Sequence, residues 1–144
     1  MKQRAMVIVA AGVAVAACLG YAAREAEGGK AKVETRVFEM RTYYIHPGRM
    51  KAMNARFRDH TNKLLEKHGM TLIGFWTPTD ADKAEKQLIY IVAHASKAAA
   101  DKSWADFRKD PAWIAARKAS EVDGPLVKDV ESVFMNPTDY SPIK

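Results

Sequence analysis

The stretch DHTNKLLEKHGM at residues 59–70 places two histidines and two carboxylates within twelve residues. Such side chains bind metal ions or transfer protons when they converge. His60 and His68 are eight residues apart, which on a helix separates them by about 12 Å along the axis. Zinc ligands lie about 2 Å from the metal, so these two histidines cannot share one ion. We expect His68 in the last helical turn, where the helix dipole favours it, and we predict no metal site.

Motifs of known catalytic and cofactor sites are missing from residues 24–144. The sequence there has no HExxH, CxxC, GxSxG, Walker or GxGxxG pattern. It also has no cysteine after Cys18, which excludes a disulfide or a thiol-based site in this part of the chain. The histidines that could bind a haem iron have no distinguishing motif: His46, His60, His68 and His94. We therefore predict no cofactor.

The remaining candidates for chemistry are polar side chains on predicted strands. Glu39, Arg41 and Tyr43 alternate along the first strand, and we expect them on the sheet face opposite the helices. His94 and Glu131 are expected on neighbouring strands, within reach of Arg41. One interpretation is a structural ion pair of Arg41 with Glu39 or Glu131, because a buried arginine needs a carboxylate partner. The other is a ligand pocket in which Arg41 binds an anionic or enolate oxygen and His94 transfers a proton.

The hydrophobic periodicity of the chain predicts the elements that position these residues. The first helix is amphipathic, with Met53 and Phe57 on its apolar side, Arg56 on its polar side and Gly69 as its C-terminal cap. Trp76 ends a strand beside a polar loop, where it either lines the mouth of a pocket or packs in the core. The predicted order is strand 35–45, helix 49–68, strand 70–77, strand 87–94, helices after the caps Ser96 and Asp110, and a last strand from 126 to 135.

This order is the ferredoxin-like β-α-β-β-α-β arrangement, an α+β fold with an antiparallel sheet and helices on one face. Both faces of the strands are largely apolar, whereas helices can cover only one of them. On the third strand, one face carries Leu88, Tyr90 and Val92, and the other carries Ile89, Ile91 and Ala93. A second copy of the same sheet is the simplest cover for the free face, so we predict a homodimer.

The N-terminus has the pattern of an export signal. Lys2 and Arg4 precede an apolar run over residues 5–23. Three outcomes are open: lipidation of Cys18 in the lipobox-like VAAC, cleavage after Ala22, or retention as a membrane anchor. Each outcome predicts an exported bacterial protein, periplasmic or anchored in the membrane through this segment alone.

Residues 24–35 read as a flexible polar linker, and residues 36–144 as the folded domain. The formal net charge of the chain is +6, from 23 basic and 17 acidic residues. Without the two basic residues of the signal it is 21 minus 17, or +4. These charges are interspersed along the sequence, which does not favour binding to nucleic acid.

Four segments in register resemble the NIPSNAP family: VFEMRTYYIHPGRM, LLEKHGMTLIGFWTPT, DPAWIAARKAS and GPLVKDVESVFMNPTDYSPIK. The resemblance implies a dimeric α/β barrel, in a superfamily that includes cofactor-free monooxygenases and haem-associated enzymes with a cavity beside the sheet. It supplies no catalytic residue for this chain. We expect a protein that binds a small apolar or anionic molecule or a protein partner. The alternative is a cofactor-independent monooxygenase or isomerase, and the sequence leaves open whether the protein is an enzyme.

Overall fold

A computed structural model describes residues 36–144 of the protein. The predicted export signal (1–23), with Cys18, and the predicted linker (24–35) lie outside the described residues. Within the described part, no helix is long and apolar enough to cross a membrane. The elements are β1 (Val37–Ile45), α1 (Met50–Arg56), a π-helical turn (Phe57–Thr61), α2 (Asn62–Lys67), β2 (Thr71–Trp76), α3 (Ala81–Ala84), β3 (Gln87–His94), α4 (Lys97–Lys109), α5 (Pro111–Ser120) and β4 (Val127–Met135).

The four strands form one antiparallel sheet in the order β2-β3-β1-β4. β1 is therefore a central strand between β3 and β4, as the ferredoxin-like order predicts. Arg41 lies opposite Tyr90 of β3 and Ser132 of β4. The helices pack on one face of this sheet, and the predicted α+β architecture is confirmed.

The first helical segment differs from the prediction by containing a π-helical turn. Thr61 is buried, and its hydroxyl donates a hydrogen bond to the carbonyl of Arg56 at 3.2 Å. The sequence predicted an ideal α-helix with Arg56 on its solvent side, whereas the Arg56 side chain packs against Trp113 and Glu121. In the structure Arg56 is buried. The segment ends before Gly69, whose φ of +79° is the left-handed conformation expected of a glycine cap.

The predicted caps of the later helices are confirmed. The Ser96 hydroxyl accepts a hydrogen bond from the Ala99 amide at 3.1 Å at the start of α4. The Asp110 carboxylate accepts one from the Ala112 amide at 2.8 Å, with Pro111 in the first turn of α5. The polar loop predicted between β2 and β3 contains the short helix α3.

The core fills the space between the sheet and the helices. Tyr90 stacks on Phe75 and meets Phe57 edge to face, so β2, β3 and the π-helical turn are joined by aromatic contacts. The largest fully buried apolar side chains are Tyr90, Met53, Leu65, Met70, Leu126 and Val92.

Candidate functional site

A buried carboxylate lies at the centre of the helix-covered face of the sheet. Glu39 of β1 is only 1% exposed. Its Oε1 accepts hydrogen bonds from Arg41 Nη1 at 2.6 Å and from the Ser132 hydroxyl at 2.6 Å. Its Oε2 accepts from Trp104 Nε1 at 2.6 Å and lies 3.1 Å from His94 Nε2. One carboxylate thus joins β1, β3, β4 and α4.

These hydrogen bonds keep Glu39 ionised. Burial by itself raises the pKa of a carboxyl group, because it disfavours the charged form. Here the hydrogen bonds from His94, Ser132, Trp104 and Arg41 outweigh burial and lower the pKa of Glu39 from 4.5 to about 2. Glu39 is therefore a permanent anion near neutral pH.

The structure corrects the predicted orientation of β1. Glu39 was expected on the open face of the sheet, whereas its contact with Trp104 of α4 places it on the helix-covered face. Arg41 and Tyr43 share that face, because alternate residues of a strand point the same way. The physical reason is that α4 supplies the Trp104 donor and the aromatic cover that a buried charge requires. The open face carries Phe38, Met40, Thr42 and Tyr44.

Of the two carboxylates considered as partners of Arg41, Glu39 forms the ion pair in the structure, at 2.6 Å, and Glu131 lies elsewhere. Glu131 lies opposite Thr42 in the register of β1 and β4, and it therefore belongs to the open face. There it accepts a hydrogen bond from the Tyr44 hydroxyl at 3.1 Å. Its neighbour Ser132 points to the helix-covered face and supplies the β4 contact to Glu39.

His94 is also part of the network and does not line the cavity beside it. The ring is fully buried, and Nε2 faces the Glu39 carboxylate, which can only accept hydrogen bonds. The proton therefore belongs on Nε2. Among residues 36–144, nothing is hydrogen-bonded to Nδ1. In this geometry the His94 ring contacts the Glu39 carboxylate and is not among the side chains that line the cavity.

A cavity of about 380 Å³ lies between the sheet and helices α4 and α5. Arg41 and Tyr43 enter its wall from β1, and α4 contributes Trp104 and Phe107. The lining carries five cationic side chains and two anionic ones. The other lining residues are Arg56, Arg108, Trp113, Arg117, Glu121, Pro125, Val127, Lys128, Asp129 and Val130.

Arg41 links the buried network to this cavity. Its Cζ atom lies 4.3 Å from the centre of the Trp104 ring, and its Nη1 is held by Glu39. Nε is buried and has no hydrogen-bond partner in the described part of the chain. A guanidinium carries five N–H groups, so Arg41 retains donors that these residues do not use.

Tyr43 contributes a second donor to the cavity wall. The Tyr90 hydroxyl donates to the Tyr43 hydroxyl at 3.1 Å. Burial raises the pKa of Tyr90 well above its ordinary value, so this hydroxyl stays protonated. The opposite direction would leave the buried Tyr90 proton unpaired, which is costly. The proton of Tyr43 is consequently free of this interaction.

The other end of the cavity is held by a second ion-pair group that the sequence analysis missed. Arg56 Nη1 lies 3.0 Å from Glu121 Oε1, and the guanidinium packs on Trp113 at 5.1 Å from the ring centre. Arg117 Nε reaches the same carboxylate at 3.1 Å. The spacing of Arg117 and Glu121, four residues apart at the end of a predicted helix, is the signal that could have indicated half of this group.

Two further predicted positions lie outside the cavity. Trp76 is 49% exposed and folds over Gly74, where a Cβ atom would come within 2.5 Å of the indole ring. His68 lies at a helix end, as predicted, with Nε2 2.7 Å from Asp110 Oδ2. Lys67 contacts the same oxygen, so the end of α2 is tied to the cap of α5. Over residues 36–144, no three His, Cys, Asp or Glu side chains come close enough to hold a metal ion.

Comparison with known proteins supports the fold. A sequence model of the NIPSNAP family matches residues 38–142. The structure of Atu4242, a NIPSNAP family protein of unknown function from Agrobacterium tumefaciens, is 21% identical with a TM-score of 0.66, covering 78% of this chain and 96% of that one. Atu5224, a NIPSNAP family protein from the same organism, is 23% identical with a TM-score of 0.66, covering 76% of this chain and 99% of that one.

A more distant likeness is to SnoaB, a cofactor-independent oxygenase from Streptomyces nogalater. It is 12% identical with a TM-score of 0.50, covering 75% of this chain and 98% of that one. At such identities the likeness concerns the fold, which is that of the dimeric α/β barrel class. No curated protein sequence matches the chain.

Proposed function

This chain belongs to the NIPSNAP family, and from that premise we propose that it is an exported homodimeric protein that binds a small, partly apolar anion. The binding site is the cavity beneath α4 and α5. The observation that carries the proposal is the position of Arg41, a cation in the wall of an aromatic-lined cavity, whose Nε has no hydrogen-bond partner among residues 36–144. Buried donors without acceptors are rare in proteins, so an acceptor from outside the chain is expected there.

The composition of the cavity wall indicates both properties of the ligand. Trp104, Phe107, Trp113 and Tyr43 supply apolar surface, and the excess of cations favours negative charge. The volume of about 380 Å³ falls within the range of small-molecule sites, about 300–1,000 Å³. A small organic anion fits these features better than a protein segment does.

Native mass spectrometry on the protein purified without added ligand tests this proposal. We expect a dimer that retains an organic anion, and we expect the Arg41→Gln protein that remains folded and dimeric to have lost it. Arg58→Gln is the matched control, because Arg58 is exposed and lies on the π-helical turn, outside the cavity lining. Equal retention by both variants would contradict the assignment of the site.

An oxygenase or isomerase is the alternative function, and the shared fold with SnoaB is the observation in its favour. Such an enzyme needs a base beside its substrate. His94 is held by Glu39, and the lining carboxylate of Glu121 is paired with Arg56 and Arg117. The other lining carboxylate, Asp129, is exposed to water, which does not favour a base inside a closed site. The described side chains therefore favour a binding protein over an oxygenase or isomerase. Oxygen consumption in the presence of the bound anion would favour the enzyme.

Homodimer formation is proposed from the open face of the sheet. Val133 is 40% exposed there, beside the partly exposed Met40 and Ile91. The segment after β4 lies over one end of this face, where Phe38 is buried and lines a pocket together with Pro137 and Ile143. A second sheet of the same kind would cover the remainder. These contacts make the open face the dimer interface of the proposal.

A charge on the open face tests this interface. We expect Val133→Asp to convert the dimer to a monomer in analytical ultracentrifugation, because the interface would have to bury the charge. Val130→Asp is the matched control, since Val130 has similar exposure on the same strand but lies on the helix-covered face. A dimer that survives Val133→Asp, or a wild-type monomer, would contradict the proposed interface.

Export is proposed from the N-terminal segment. Intact mass measurement of the protein from its host distinguishes a lipid on Cys18, cleavage after Ala22 and a retained anchor. Cys18→Ser should release the protein from the membrane only if the lipid is the anchor.

A further inference from the structure

We propose that Arg41 and Tyr43 form a two-donor site for the carboxylate of a planar aromatic acid. The inference rests on the proposed binding role of the cavity and names the chemical class of its ligand. Three structural features carry it: the fixed orientation of Arg41, the free proton of Tyr43 and the aromatic wall beside them.

Arg41 is fixed in orientation without using up its donors. Glu39 holds Nη1 at 2.6 Å, and the Trp104 ring covers the guanidinium plane at 4.3 Å. Glu39 is itself fixed by Trp104, His94 and Ser132, so the arginine cannot turn toward solvent without leaving a buried anion. A guanidinium held in this way is preorganised for a planar carboxylate.

Tyr43 places its donor beside that cation. It lies two residues along β1 from Arg41 on the same face, and the Arg41 Cζ atom is 5.7 Å from its ring centre. Because Tyr90 donates to the Tyr43 oxygen, the Tyr43 proton is not used in this hydrogen bond and is available to a ligand. A phenolic proton next to a guanidinium matches an anionic oxygen and not a second donor.

The wall formed by α4 and α5 selects for an aromatic ring. Trp104 and Phe107 meet edge to face with centroids 5.6 Å apart, and Phe107 and Trp113 are 4.6 Å apart with their planes tilted. All three rings line the cavity. Aromatic faces and edges make their most favourable stacked and edge-to-face contacts with another planar ring. The wall therefore favours an aromatic acid over an aliphatic one.

Isothermal titration calorimetry with 2-naphthoate and its neutral analogue 2-naphthalenemethanol tests the proposal. We expect the wild-type dimer to bind the acid more tightly than the alcohol. Tyr43→Phe should weaken binding of the acid by at least about tenfold, the loss expected for one hydrogen bond to a charged acceptor. It should weaken binding of the alcohol less, because a neutral oxygen accepts a weaker hydrogen bond.

Tyr90→Phe separates this role from a structural one. The substitution removes the donor to Tyr43 but leaves the Tyr43 proton, so affinity for 2-naphthoate should be retained. Tyr43→Phe alone leaves the Tyr90 hydroxyl without an acceptor and should lower stability as well. The double variant Tyr43→Phe/Tyr90→Phe removes both hydroxyls and should recover stability without recovering affinity.

The possible results have distinct meanings. Equal affinity for the acid and the alcohol, or no loss with Tyr43→Phe, would overturn the two-donor site while leaving the cavity as a binding site. Tighter binding of cyclohexanecarboxylate than of 2-naphthoate would overturn the aromatic preference. Failure of the folded wild-type protein to bind any of these probes would overturn the proposed function together with the inference.

Discussion

Replacing Glu39 by glutamine tests the network on which the candidate site rests. Glutamine has nearly the same shape, so the change removes the charge with little change in volume. However, the glutamine amide has an NH2 group in place of one carboxylate oxygen. Both oxygens of Glu39 accept hydrogen bonds, which come from Arg41, Ser132, Trp104 and His94. We expect a large loss of stability for two reasons. Arg41 becomes a poorly compensated cation, and the NH2 group of the glutamine faces two groups that also donate hydrogen bonds.

Two independent estimates give the size of this loss. Removing one partner of a buried ion pair costs about 3–5 kcal/mol, and Arg41 is 18% exposed, which favours the lower end. The second estimate comes from the pKa of Glu39, which falls from 4.5 to about 2 on folding. One pH unit corresponds to about 1.4 kcal/mol, so the charged form stabilises the fold by about 3 kcal/mol.

Urea unfolding at pH 7 measures the change in the free energy of unfolding. Glu131→Gln is the matched control, because Glu131 is exposed on the adjacent strand and accepts one hydrogen bond from Tyr44. We expect the control to lose less than about 1 kcal/mol. A loss for Glu39→Gln no larger than for Glu131→Gln would refute the claim that this carboxylate organises the site.

The pH dependence provides a second check with a definite sign. The pKa of Glu39 is lower in the folded state, so its charge stabilises the fold above about pH 4.5, and this contribution is lost as the pH falls toward 2. The difference in stability between the wild type and Glu39→Gln should therefore be constant near neutral pH and shrink on acidification. A difference that grows on acidification would contradict the assigned charge state.

The helix ends provide two smaller predictions. Ser96→Ala should lower the free energy of unfolding by about 1 kcal/mol through loss of the α4 cap, whereas Ser96→Thr should nearly retain it. Gly69→Ala should cost about 1–2 kcal/mol because of its positive φ, and Gly69→Asn should cost less, since asparagine tolerates that conformation. Urea unfolding measures all four variants. Equal effects within either pair would contradict the assigned cap or backbone conformation.

The elements of the fold could be predicted because their signals are local. Ser96 caps α4 through an amide three residues away, and Asp110 caps α5 through an amide two residues away. The strand β3 was predicted with its observed bounds, because an apolar run between polar segments has few alternatives. The order of the strands then follows from the β-α-β-β-α-β sequence of elements.

The candidate site could be predicted only in part, because it depends on which face of the sheet the helices cover. Alternation along β1 places Glu39 and Arg41 on the same face of the sheet. When both faces are largely apolar, however, alternation does not indicate which face the helices cover. The choice is made by Trp104, which lies 65 residues from Glu39 in the chain. Arg56 was misplaced for a related reason, since the residues that cover it, Trp113 and Glu121, lie more than 50 residues away in the chain.

The arrangement of β1 explains why binding and stability are coupled in this protein. Glu39 belongs to the scaffold, Arg41 joins the scaffold to the cavity, and Tyr43 contacts the core through Phe57 and Tyr90. Substitutions at Glu39 or Arg41 therefore disturb folding together with any ligand. The wall from α5 is linked less directly, because Trp113 packs on Phe107, whereas Trp104 donates to the Glu39 carboxylate itself. Changes at Trp113 should consequently alter which ring the cavity accepts while leaving the anion site of Arg41 and Tyr43 in place.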